Sequence, residues 1–202
     1  LGGEQSGFIS DIGFETYQKI LNEAIEELKE NEFEHLFNND KKSKAYVKEL
    51  TIDTDFSLLF PDDYVNNISE RLRLYTKLNN LKTIVELQEY ENELLDRFGP
   101  LPTEVVDLMH SVRIKWLGVE LGLDKILMKK QQFVGYFISD QNSSFFNSKE
   151  FSKILKYVQK HPKATSLKEK KTRTGLRLLL TFNNVPSVKH GLRFLEAIEL
   201  VK

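Results

Sequence analysis

Between Tyr64 and Gly122, three apolar stripes at helical spacing are set apart by residues that start and stop helices. The first stripe is Val65, Ile68, Leu72, Tyr75 and Leu78, on a helix expected from Tyr64 to about Asn79. Pro61 ends the apolar run before it, and Asp62 or Asp63 is the expected N-cap. Thr83-x-x-Glu86 has the spacing of a capping box, in which two side chains satisfy two otherwise unpaired backbone N–H groups. It opens a second helix whose apolar face is Leu87, Tyr90, Leu94 and Phe98. Gly99 stops that helix, because glycine adopts the left-handed C-terminal conformation without a Cβ penalty. Pro102 sits where a third helix begins and a missing N–H costs little. That helix is expected to bury Val105, Leu108, Met109, Val112, Trp116 and Val119, and to end near Gly122.

The rhythm then changes. Lys125–Met128 and Phe133–Ser139 read as a hairpin. Asn147 or Ser148 caps a helix with Phe151, Ile154, Leu155 and Val158 on its apolar face. Thr165–Lys168 and Leu176–Phe182 read as a second hairpin turning around Lys171–Gly175. Pro186 or Ser187 begins a last helix carrying Val188, Leu192, Leu195 and Ile198. Upstream, Ala45–Ile52 reads as a strand, and Phe14–Lys29 as an amphipathic helix bearing Glu15, Glu23, Glu26 and Glu27. The expected fold class is α+β: an N-terminal helix, a helical first half, then a small antiparallel sheet packed with helices. The polar run Asn38–Lys44 marks a boundary near residue 44, dividing the chain into 1–44 and 45–202.

A net charge of -1 hides an asymmetry. Residues 1–63 hold 15 acids and 6 bases, whereas residues 149–202 hold 4 acids and 13 bases. Charged partners, or opposite ends lying together, account equally for such a split. With no Cys, disulfides and thiolate metal sites are excluded. No apolar run reaches the ~20 residues that span a bilayer, and the N-terminus lacks a signal peptide's basic start, so cytoplasmic residence is expected. The chain opens on Leu1, which suits a fragment of a longer protein.

No catalytic constellation stands out. There is no G-x-x-x-x-G-K-[ST] loop for ATP and no G-x-S-x-G nucleophile turn. His35, His110, His161 and His190 are scattered without metal spacing, and Asp53-x-Asp55 and Asp62-Asp63 suit turn and cap roles better than Mg²⁺. No catalytic or metal residue and no cofactor is assigned to this chain. Two charged features remain. Glu86, Glu89, Glu93 and Asp96 fall on one face of the second helix, opposite its apolar stripe. They suit either a solvated surface or an interface for a basic partner. Lys168, Lys170, Lys171 and Arg173, with Arg177 beyond, gather at the second hairpin. They suit DNA phosphates or the protection of a sheet edge, and no aromatic residues interleave them for base stacking.

Phe60-Pro61-Asp62-Asp63-Tyr64, Arg71-Leu72-x-x-Tyr75 and Asp96-Arg97-Phe98-Gly99-Pro100-Leu101-Pro102 together resemble the C-terminal domain of the bacterial transcription-repair coupling factor family. The resemblance covers nearly all of residues 45–202 and is strongest in the first half. Leu1-Gly2-x-x-Gln5-Ser6-Gly7 resembles the end of the translocation motif that this family shares with the RecG branch-migration helicase. The resemblance gives Gln5 a role in coupling ATP hydrolysis to movement, within the complete motor only, and makes Phe14–Lys29 the family's hook helix. It implies a non-catalytic regulatory domain of an ATP-dependent DNA translocase in transcription-coupled repair, with ATP and Mg belonging to the parent. The implied partner is the parent's own UvrA-recruiting domain, met through Glu93 and Asp96. RNA polymerase, UvrA and duplex DNA follow as partners of the parent.

Overall fold

The computed structural model describes residues 46–47, 49–172 and 175–201. Gln5, the hook-like helix, the boundary near residue 44 and Arg173 lie outside the described residues. The chain divides into two compact units, one comprising Leu58–Val106 among its described residues, the other 46–57 with 107–201.

The first unit is built on an antiparallel helix pair, α1 (Ile68–Asn80) and α2 (Ile84–Phe98), followed by the start of α3 (Thr103–Glu120). Helix α1 begins later than expected. Its N-cap is Asn67, whose side chain accepts from the Glu70 N–H. Pro61 instead closes a turn, its carbonyl accepting from the Tyr64 and Val65 N–H groups. The Asp pair is thereby left ahead of the helix, and Asp62 forms an ion pair with Arg71 at 2.9 Å. The capping box on α2 is present as expected, with both reciprocal bonds made between Thr83 and Glu86. Gly99 ends α2 at φ 83°. Leu74, Leu78, Tyr90, Leu94 and Val105 are buried in this unit's core.

The second unit holds a five-stranded sheet of β1 (Thr51–Thr54), β2 (Leu123–Lys129), β3 (Gln132–Phe137), β4 (Thr165–Thr172) and β5 (Gly175–Asn183), in the order β1-β2-β3-β5-β4. Both expected hairpins form, but the sheet is mixed rather than wholly antiparallel: β1 pairs with β2 in parallel, Ile52 opposite Ile126. The connection between these two strands runs through most of the first unit's sequence, so no local signal could set its direction. The expected Ala45–Ile52 strand is displaced to Thr51–Thr54.

One sheet face carries Ile126, Met128, Phe133, Phe137, Leu180 and Phe182, all fully buried. Helices α3, α4 (Lys149–Lys160) and α5 (Val188–Glu199) lie on this side. A methyl group at Gly118 of α3 would come within 3.2 Å of Ile126, and one at Gly191 of α5 within 3.1 Å of Met128. Tyr157 of α4 and Phe194 of α5 meet the Phe182 ring at 6.2 and 4.7 Å between centroids. On α4 the buried positions are Ile154 and Tyr157, whereas Leu155, expected inside, is exposed. Of the expected alternatives, Ser148 rather than Asn147 caps α4, and Ser187 rather than Pro186 caps α5.

Candidate interaction surface

The residues that carry the family resemblance build a clamp. Arg71, 6% exposed, donates through Nη1 to the Val65 carbonyl at 2.7 Å and reaches Asp62. The Tyr75 hydroxyl accepts from the Phe60 N–H at 2.9 Å, and burial pushes its pKa up. The Tyr64 hydroxyl lies 3.3 Å from both the Leu94 and the Gly99 carbonyls, which places the Phe60–Tyr64 loop against the end of α2. The rings of Tyr64 and Phe98 sit 5.7 Å apart. These motif residues therefore satisfy buried backbone groups and fix how the loop meets the helix pair.

That scaffold presents the acidic side of α2, and the four carboxylates separate into two kinds. Glu86 is held by the capping box, and its pKa is lowered by the backbone N–H groups of Lys82 and Thr83 that donate to it. Glu93 accepts from Lys77 of α1 and from Arg97 one turn along its own helix. The hydrogen bond from Lys77 is the chief cause of its lowered pKa. Arg97 also reaches Glu70 at 2.6 Å, and Glu70 reaches Arg73 at 3.4 Å. The result is a ladder of alternating charge across α1 and α2, bordering a groove of about 440 Å³. Glu89 and Asp96 stand apart from it, exposed, on a stripe with Val85 and Asn92 at i, i+4, i+7 and i+11. Beside them Ile84, Val85 and Leu95 are 52, 62 and 42% exposed. This face thus couples outward carboxylates to exposed apolar side chains. Sequence periodicity gave the four acids as one set, because the ladder that divides them depends on the pairing of two helices.

The basic hairpin divides as well. Lys168, Lys170 and Lys171 are exposed on β4, an edge strand. Arg177 turns inward: its guanidinium donates to the Phe137 carbonyl and to Asp124, and its side chain is only 12% exposed. It closes the sheet rather than facing a ligand.

Among the described residues no group of three or more His, Asp or Glu could hold a metal ion. No described helix is long and apolar enough to cross a membrane.

Residues 54–148 match the family model for the TRCF domain. The chain is 29% identical to the transcription-repair-coupling factor of Rickettsia prowazekii over 93% of its length. It is 32% identical to that of Rickettsia bellii over 83%, and 26% identical to that of Staphylococcus haemolyticus over all of it. It spans only about 15% of these relatives, 15, 14 and 16% in turn. A crystal structure of the C-terminal domain of a transcription-repair coupling factor shares the fold, with TM-score 0.59 and 16% identity, over 76% of this chain and 94% of that one. The family model lies over the clamp and the helix pair, and on these findings the chain belongs to the transcription-repair coupling factor family, with its TRCF domain at residues 54–148.

Proposed function

We propose that this region is a non-catalytic regulatory module of an ATP-dependent DNA translocase in transcription-coupled excision repair, acting through the outer face of α2. In this reading Glu89 and Asp96, with Glu93 beside them, meet basic side chains of the parent's UvrA-recruiting domain. The contact masks the UvrA site and restrains the motor until RNA polymerase is engaged. The observation that carries it is the pairing of unbridged carboxylates with exposed Val85 and Leu95 on one face. Charge at the rim and apolar area at the centre are what a specific protein interface needs, whereas a solvated face needs only the charge.

ATP hydrolysis by the parent motor, with and without residues 45–202, tests restraint. Deletion should raise it, and Glu89→Lys with Asp96→Lys should reproduce part of the rise. Unchanged hydrolysis in both would refute the reading. The alternative is DNA binding through the second hairpin, supported by the three exposed lysines of β4. Salt-sensitive retention of duplex DNA, lost on changing Lys168, Lys170 and Lys171 to Ala, would favour it.

A further inference from the structure

The sheet has a second face, and α3, α4 and α5 all lie on the other. Strand register places Lys168, Leu179, Tyr136 and Lys125 in one row across β4, β5, β3 and β2. The adjoining row is Ser166, Thr181, Val134 and Leu127. Leu127, Val134 and Tyr136 are half-buried on the side away from α3, α4 and α5, and Leu179 is 7% exposed among its neighbours. The centre of this face is therefore largely aliphatic, with one aromatic ring and Thr181 among the leucine and valine side chains.

Its rim is basic. The carboxylates within reach, Asp53 and Asp124, are engaged by Lys129 and Arg177. Lys125, Lys168 and Lys170 have no acidic partner among the described residues, leaving three positive charges around an apolar strip. Protection of a sheet edge accounts for Lys168 and Lys170 on β4. It does not account for Lys125, because β2 is an interior strand.

We propose that this face docks an acidic, amphipathic protein helix, apolar side down between the two lysine flanks. The dimensions fit. Lys168 and Lys125 are separated by three strand spacings, roughly 14 Å, and a helix with its side chains is about 10–12 Å across. A helix laid along the strands would rest on Tyr136, Leu179, Val134 and Leu127 and carry its carboxylates to Lys125 on one side and Lys168 on the other. Nucleic acid suits the face less well, since stacking needs several exposed rings and this one supplies a single tyrosine. The site lies in the sheet unit and does not depend on the α2 interface.

The test uses the full chain and a fluorescein-labelled peptide of about 20 residues, long enough to hold a helix, with Leu on one face and Glu on the other. Fluorescence anisotropy should show saturable binding that weakens as salt rises and is absent for the same peptide with Lys in place of Glu. Lys125→Glu with Lys168→Glu should weaken it about tenfold or more, with Lys149→Glu on α4 as an unaffected control. If circular dichroism shows that the double variant is unfolded, Lys125→Gln with Lys168→Gln should still weaken binding about threefold. No binding, binding indifferent to these lysines, or displacement of the peptide by duplex DNA with the same lysine dependence would each overturn the proposal.

Discussion

Replacing Arg71 with methionine isolates the clamp. Methionine keeps much of the aliphatic stem and removes the guanidinium, so the change leaves little cavity. The lost bond is charge-assisted and buried: Nη1 to the Val65 carbonyl at 2.7 Å, on a side chain 7% exposed. Such bonds contribute about 1.5–3 kcal/mol, and the Val65 carbonyl left unpaired raises the cost towards about 4 kcal/mol. The ion pair adds little, because the Asp62 side chain is 68% exposed. We expect Arg71→Met to destabilise by about 2–4 kcal/mol, lowering Tm by roughly 6–12 °C at the middle of that range. Asp62→Asn should cost less than about 1 kcal/mol. Arg71→Lys should recover only part of the loss, because both partners are met by Nη1 and a lysine ammonium ends about one bond short of that position. Urea unfolding followed by circular dichroism gives all three values, with unchanged m confirming that the folded state is the one perturbed. If Arg71→Met and Asp62→Asn cost the same, or Arg71→Met costs less than about 0.5 kcal/mol, the clamp is not what holds the loop to the helix pair.

Gly99 and Gly122, two of the three described glycines with positive φ, should separate backbone strain from overpacking. Gly99→Ala meets nothing within 4 Å and should cost about 1–3 kcal/mol from backbone strain alone at φ 83°, ψ -159°, whereas Gly122→Ala also drives a methyl group to 2.4 Å from the buried Phe145 ring and should cost about 2–4 kcal/mol by thermal unfolding. Tyr75→Phe leaves the Phe60 N–H unpaired and should cost about 1–2 kcal/mol in urea unfolding. The folded-state pKa of Glu93 is depressed below its ordinary 4.5, so its contribution is present above that value and is lost as pH falls through the lower folded pKa. Glu93→Gln should therefore flatten the acid limb of the Tm–pH curve, by no more than about 1 kcal/mol for a partly exposed pair, and an unaltered limb would rule the ladder out.

The family motifs were legible in the chain, but their work was not. Phe60–Tyr64, Arg71, Tyr75 and Asp96–Pro102 name a domain, while only the folded chain shows Arg71 on the Val65 carbonyl and Tyr64 beside the Leu94 and Gly99 carbonyls. The Asp62-Asp63 signal for a helix start was overridden because the Pro61 turn consumes that stretch and Asn67 caps instead. On α4 the apolar stripe placed Leu155 inside, but Leu155 is exposed and Tyr157, packed on the Phe182 ring, is buried instead.

What the sequence determined by itself is local: the Thr83–Glu86 capping box, the stop at Gly99, the serine caps of α4 and α5, both hairpins and the α+β class. In each, the interacting groups are close along the chain, so composition and spacing suffice. Tertiary structure alone decided the parallel pairing of β1 with β2, the capture of Glu93 in the ladder while Glu89 and Asp96 face outward, the inward turn of Arg177, and the row joining Lys168, Tyr136 and Lys125. Each of these joins groups distant in sequence, whose contact depends on the register and packing of whole elements that a one-dimensional pattern does not carry.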